Sequence, residues 1–169
     1  MNVERWQQGT PLAEYIQNSS ARGRILRRLA EVSLSDEVSR FFKAYRVPTR
    51  AIVITEDWCP GTPPAVATLA HCCELSDGAI EARVYKRDRN PDLMDQFLKE
   101  GKYRSIPVVA FFDSEFTPLG DIREKPVLPE WEGLHEADRG VAALSLGWSE
   151  TWARAFMAIL APVVEGQGE

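Results

Sequence analysis

Histidine, cysteine and positive charge are scarce in this 169-residue chain, which has two histidines, three cysteines and 20 basic against 25 acidic residues. The net charge of −5 argues against nucleic acid as a main partner, because a phosphate backbone needs a basic surface. His71 and His135 are far apart and match no metal-ligand spacing, so neither a metal nor another cofactor is expected. No apolar run approaches the roughly 18 residues of a membrane helix. Met1 to Gln8 is polar and lacks the apolar segment of a secretory leader. The expectation is a cytoplasmic protein with no membrane partner. No phosphate-binding Gly-rich loop, Gly-x-Ser-x-Gly elbow, internal repeat or low-complexity tract occurs. Three cysteines cannot all pair within one chain, and adjacent Cys72 and Cys73 suit each other poorly, so free thiols are expected.

An apolar fraction of 44% is ordinary for a globular protein, and the length suits one domain over 1–169 with a sizeable core. Thr10-Pro11 reads as a cap and first position of a helix. A second helical pattern runs from about Ser20 with Ile25, Leu26, Leu29 and Val32, and Ser35 caps a third with Val38, Phe41, Phe42 and Tyr45. Val47-Pro48 ends it. Ala51 to Thr55 reads as a buried strand, Pro63 onward as a helix with Val66, Leu69, Ala70 and Cys73 on one face, and Ile80 to Lys86 as a second strand. Asn90-Pro91 opens a helix carrying Leu93, Met94, Phe97 and Leu98, stopped by Gly101. Pro107 to Phe112 and Phe116 to Ile122 form a hairpin. The segment 123–138, with two prolines, a glycine and many charges, reads as an ordered loop, and a last helix from about Ser149 buries Trp152, Phe156, Ile159 and Val163. The order predicts an α/β fold, with a mixed four- to five-stranded sheet covered on both faces. Residues 1–47 form an N-terminal helical extension and 48–165 the core.

The sharpest local signal is Glu56-Asp57-Trp58-Cys59-Pro60-Gly61-Thr62-Pro63-Pro64, between a strand and a helix. A thiol there lies near unpaired N–H groups and the positive end of the helix dipole, both of which stabilise thiolate. Neither proline can donate a helical hydrogen bond, so Thr62 is expected as N-cap and Pro63 as the first helical residue. Glu56 and Asp57 oppose thiolate if they face the sulfur. Cys73 reads as a small core residue; Cys72 lies about 13 residues and ~20 Å from Cys59 along a helix, too far to resolve a disulfide without a large rearrangement. Lys86, Arg87 and Arg89 read as a solvated strand end. Cys59 itself is expected at the start of the helix with its sulfur at least partly accessible.

These residues carry a resemblance. Trp58-Cys59-Pro60-Gly61 resembles the Trp-Cys-x-x start of the thioredoxin-like superfamily, and Arg104-Ser105-Ile106-Pro107 its segment leading into a cis-proline. The chain is most similar to uncharacterised bacterial thioredoxin-like proteins that combine Glu-Asp-Trp-Cys with Asn-Pro-Asp-Leu-Met, here Glu56 to Cys59 and Asn90 to Met94. The likeness covers about 51–120 and the closing helix. It implies a thioredoxin-like fold and a thiol–disulfide site. Cys59 and Thr62 are its catalytic pair, and Trp58, Pro60, Gly61, Ile106 and Pro107 bind substrate. The resemblance also implies a cis Ile106–Pro107 bond beside Cys59. Two departures stand out: Thr62 occupies the resolving-cysteine position, and Val53 stands where thioredoxins place a buried acid.

Two functions follow. One is a monothiol oxidoreductase of Cys-x-x-Thr type, with Cys59 attacking a protein or low-molecular-weight disulfide and a small thiol resolving it. The other is a redox-inactive thioredoxin-fold protein that binds a peptide or partner protein beside Pro107. The physiological substrate, reductant and oligomeric state are not written in the sequence.

Overall fold

The computed structural model describes residues 1–168. Helix α1 (Val3–Gln7) leads into strand β1 (Thr10–Pro11), followed by α2 (Leu12–Asn18), α3 (Arg22–Glu31) and α4 (Asp36–Ala44). Strand β2 (Thr49–Thr55), helix α5 (Thr62–Leu75) and strand β3 (Ile80–Lys86) form a parallel crossover. A short helix α6 (Pro91–Met94) precedes strands β4 (Val108–Asp113) and β5 (Pro118–Arg123), and α7 (Glu136–Leu146) and α8 (Trp148–Gly166) close the chain. The sheet order is β1-β3-β2-β4-β5, with β2 and β3 parallel and every other pair antiparallel. This is the α/β architecture expected of the sequence.

Strand alternation sorts the central residues onto two faces. Ala51, Val53, Val109 and Phe111 enter one core with α2–α5 and α8. Ile52, Ile54, Val108, Ala110 and Phe112 enter the other, covered by Trp6 of α1, Leu93 and Met94 of α6, and Phe97. Phe156 of α8 meets Phe111 edge-on at 5.4 Å and Trp152 at 5.8 Å. Both cores therefore close on β2 and β4, the strands whose C-terminal and N-terminal ends carry the turns discussed below. Ser35 caps α4 as expected, accepting from Val38 N, while the buried carboxylate of Glu150 on α8 accepts from Ser35 N at 2.9 Å. Among the described residues no helix is long and apolar enough to cross a membrane.

Several expectations need correction. Thr10 and Pro11 do not open a helix; they pair antiparallel with Val84 and Arg83 at the sheet edge, where proline forfeits no ladder bond, and α2 begins at Leu12. The α3 stripe is narrower than predicted, since Ile25 is buried but Leu26 is exposed. The helix after Asn90 lasts one turn and continues as a 3-10 turn over Asp95–Phe97. Phe116 lies in the hairpin turn at φ +66°, where the Asp113 carboxylate accepts from Glu115 N and Thr117 N. The 123–138 segment is ordered, yet its end belongs to α7, which buries no residue fully and so shows no apolar period. Gly147, at φ +93°, separates α7 from α8, and Leu160 is the fully buried residue where Ile159 and Val163 were expected.

Gly9 is a point of close approach: a β-carbon there would stand 2.7 Å from the Tyr85 hydroxyl oxygen. The ring cannot step aside, because it is buried and its hydroxyl donates to Trp6 O at 2.8 Å. Gly9→Ala is expected to destabilise the protein by about 1–3 kcal/mol through overpacking. Urea unfolding checks this, and an unchanged midpoint would show that the β1–β3 edge yields.

Candidate functional site

Strand β2 delivers its last residue, Thr55, to a turn spanning Glu56 to Gly61, and α5 leaves that turn at Thr62. The turn is closed by its own backbone: Cys59 N donates to Glu56 O and Thr62 N to Cys59 O, both at 3.1 Å. The Thr62 hydroxyl lies 2.6 Å from the Thr55 hydroxyl and donates to Glu56 O at 2.9 Å, so β2 and α5 are joined by side chains as well. Facing this turn is the start of β4, where the Ile106–Pro107 bond is cis, as the resemblance implies. The Cys59 thiol donates to Ile106 O at 3.7 Å. Gly61 is wedged between the two segments. A β-carbon there would stand 2.8 Å from Pro107 Cδ and 3.7 Å from Cys59 Sγ. Cys59, Gly61, Ile106 and Pro107 thus meet in one place.

The flanking residues differ in exposure. Trp58 is 61% exposed, with the Arg87 guanidinium 5.3 Å from its ring centroid. Arg87 also donates to Arg104 O at 3.4 Å, which links the Cys59 turn to the loop before Pro107. Pro60 is exposed and Thr62 fully buried. Neither carboxylate before the cysteine is free. Glu56 accepts from Asp88 N at 3.0 Å. Asp57 Oδ1 accepts from Tyr15 Oη at 2.8 Å and from Lys86 Nζ, and Oδ2 accepts from Ser20 N and Oγ at 3.1 and 3.0 Å. Burial alone would raise the Asp57 carboxyl, but the hydrogen bonds from Lys86, Tyr15 and Ser20 outweigh it and hold the group well below the usual carboxylate range. Burial, with the Asp57 charge, pushes the Tyr15 hydroxyl far up, so it remains a donor.

Three expectations about this turn are revised. Cys59 is buried, with 6% of its surface exposed, because its sulfur packs into the core on the α6 face rather than standing free. The N–H groups expected around it are mostly consumed. Thr62 and Ala65 donate to Cys59 O and Gly61 O, and Pro60, Pro63 and Pro64 have no N–H. Thr62 is the first helical residue, not the cap; Gly61 takes the cap position without a side-chain bond. Cys72 is the fully buried cysteine of α5, because α3 and α8 pack against that helix and widen its apolar face, while Cys73 is partly buried and packs against the same core. Burial pushes the Cys72 thiol well above its usual range and that of Cys73 up to about 12. Both lie at least ten residues into α5 from Thr62, ~15 Å or more.

Sequence reasoning missed the partners of Asp57. Lys86 was read as a solvated strand end, yet it opposes Thr55 in the parallel β2–β3 register and so sits beside the turn that follows Thr55. The available signal was an acid just past one strand and a lysine ending its parallel neighbour. Tyr15 and Ser20 gave no such signal, since their approach depends on how α2 and α3 pack.

A family model described as thioredoxin matches residues 9–128. The chain belongs to the thioredoxin family. Its fold is similar to that of a protein of unknown function from Pseudomonas aeruginosa, at 22% identity and TM-score 0.75, covering 99% of both chains. It is also similar to an HIV epitope scaffold, at 21% identity and TM-score 0.75, covering 98% of this chain and 99% of that one. No curated protein matches it. Within the family fold, the arrangement offers one sulfur bonded to the backbone carbonyl that precedes the cis-proline, with no second thiol in the same turn.

Two outcomes follow. A carboxyl whose folded pKa lies below its unfolded value of about 3.9 stabilises the fold above that pH and loses the contribution as pH falls through the folded value. Asp57→Asn is therefore expected to cost about 2–3 kcal/mol at pH 7, partly by leaving Lys86 unpaired, with the deficit shrinking below about pH 4. Urea titrations of both proteins at several pH values measure it, and a deficit independent of pH contradicts the assignment. Thr62→Cys places a second sulfur three residues from Cys59 in a tight turn closed by the Thr62 N to Cys59 O bond at 3.1 Å, the Cys-x-x-Cys spacing at which two β-carbons can reach the ~3.5–4.5 Å of a disulfide. Mild oxidation is expected to reduce its four thiols to two; four remaining free thiols would contradict the geometry.

Proposed function

We propose that the protein carries out thiol–disulfide exchange through Cys59 alone, as a monothiol oxidoreductase. The observation that carries this reading is the meeting of Cys59 Sγ with Ile106 O, Pro107 and Gly61 at the start of α5. The sulfur lies where the helix dipole favours developing negative charge. The Pro107 wall and exposed Trp58 flank it and would seat a disulfide-bearing substrate. Thr62 holds the turn through Thr55 and Glu56 and supplies no resolving sulfur, so release requires an external thiol.

A second reading, a redox-inactive protein binding a peptide beside Pro107, is favoured by one observation. The Cys59 hydrogen is given to Ile106 O, and the amides at the start of α5 that would receive a thiolate are mostly bonded or absent. One measurement separates the two. With a small disulfide and excess external thiol, the exchange reading expects turnover that falls about a hundredfold or more in Cys59→Ser and persists in Cys73→Ser. Mass spectrometry should find the mixed disulfide on Cys59. Equal turnover in wild type and Cys59→Ser favours the binder.

A further inference from the structure

Helix α7 inverts the usual arrangement of a surface helix, in which the large apolar side chains point inward. Its inner face meets α8 with small or polar residues. Ala142 and Ala143 pack partly buried against the core, and Arg139, one turn before Ala143, is partly buried on the same face. Leu144 and Val141 point the other way. They are 85% and 67% exposed, the two highest values for a large apolar residue among the described residues. Apolar residues on both faces are also why no one-sided period marks this helix in the sequence.

At about 100° per residue, Ala137, Gly140, Val141 and Leu144 share an outer face about 100° wide. All four are exposed, no charge lies within that face, and Glu136 and Asp138 flank it on either side. Apolar residues scattered singly are ordinary on a surface. A charge-free face carrying both Val141 and Leu144 keeps apolar area in water that contact with another helix would remove.

The order of sizes along this face fits a second copy of itself. With a two-fold axis between Gly140 and Val141, two α7 helices cross antiparallel. Ala137 then faces Leu144 of the second copy, and Gly140 faces Val141, so each large side chain meets a small one. A two-fold interface must be complementary to itself in this way. Charge selects the same direction. In the antiparallel pair, Glu136 and Asp138 lie level with Ser145 and Ala143, and no like charges meet. A parallel pair would instead set Leu144 against Leu144 and bring each acid beside its own copy, which like-charge repulsion disfavours.

We propose that α7 is a self-association surface on which a second copy of this chain docks antiparallel through Ala137, Gly140, Val141 and Leu144. One pair of three-turn helices covers less than the ~1,200 Å² of a stable interface, so the dimer forms and dissociates with concentration. The inference does not depend on the chemistry at Cys59.

Sedimentation velocity on the full chain from about 5 to about 500 μM tests it, and a shift from monomer to dimer is expected within that range. Leu144→Glu and Val141→Glu should each raise the dissociation constant about tenfold or more. Both side chains stand in water in the monomer, so neither substitution should move the urea midpoint of a dilute sample. A disulfide trap reads the direction. Ala137→Cys mixed with Leu144→Cys should give, on mild oxidation, a peptide crosslinked between the two positions, while Leu144→Cys alone should not join to itself there. A chain that stays monomeric throughout overturns the proposal, and so does a dimer unmoved by both glutamate substitutions. A crosslink from position 144 to position 144 overturns the antiparallel docking. A chain that stays monomeric yet binds phosphatidylcholine–phosphatidylglycerol vesicles through Leu144 would make a lipid surface the occupant, which overturns the second copy.

Discussion

The Asp57 carboxylate gathers partners from three separate elements, and the shape of the Cys59 turn depends on that gathering. A charged carboxylate mostly removed from water is tolerated only if its oxygens are satisfied. Here Tyr15 comes from α2, Ser20 from the approach to α3, and Lys86 from the end of β3. Two residues before the cysteine, therefore, the backbone is tied to the N-terminal helices and to the sheet at once. Arg24 adds a bond to the Asp57 carbonyl. Removing the carboxylate would free the turn and strand a lysine in the same stroke.

That arrangement gives the N-terminal helices a purpose beyond cover. Helices α2 and α3 contribute Tyr15 and Ile25 to the core on one face of the sheet, while α1 contributes Trp6 to the other. Among the described residues, the groups that reach Asp57 from outside the sheet come from α2, from the approach to α3 and from α3 itself. Arginines on α3 then stand beside Pro60 and Pro63 as a consequence of the packing that satisfies Asp57.

The sulfur itself sits in a restrained setting. Gly61 permits the β4 start to press against the turn, since any side chain there would collide with the Pro107 ring. The price of that closeness is low exposure for Cys59, and the prolines that sharpen the turn also remove amides from the start of α5. Chemistry at Cys59 therefore draws on the helix dipole and on whatever a bound substrate brings, more than on backbone N–H donors.

Four of the five strands and their order along the chain were legible in the sequence, because β-branched and apolar runs such as Ala51 to Thr55 and the Pro107 stretch stand out locally, whereas the two-residue edge strand Thr10–Pro11 did not. So were the Ser35 cap and the position of Cys59 between strand and helix, which are local matters of turn chemistry. Helix α7 was not legible, since it buries nothing fully and carries apolar residues on both faces, so no single stripe marks it. Nor was the full burial of Cys72, which depends on how far α3 and α8 wrap around α5. The burial of the Cys59 sulfur, the Asp57–Lys86 pair and the approach of the α3 arginines to Pro60 and Pro63 are long-range facts of the same kind. By itself the sequence determined the four longer strands and where the thiol stands along the chain, because those follow from neighbours a few positions away. Only the tertiary structure decided what surrounds the turn that carries that thiol, because its partners come from segments 29 to 47 residues distant, and their approach is set by packing.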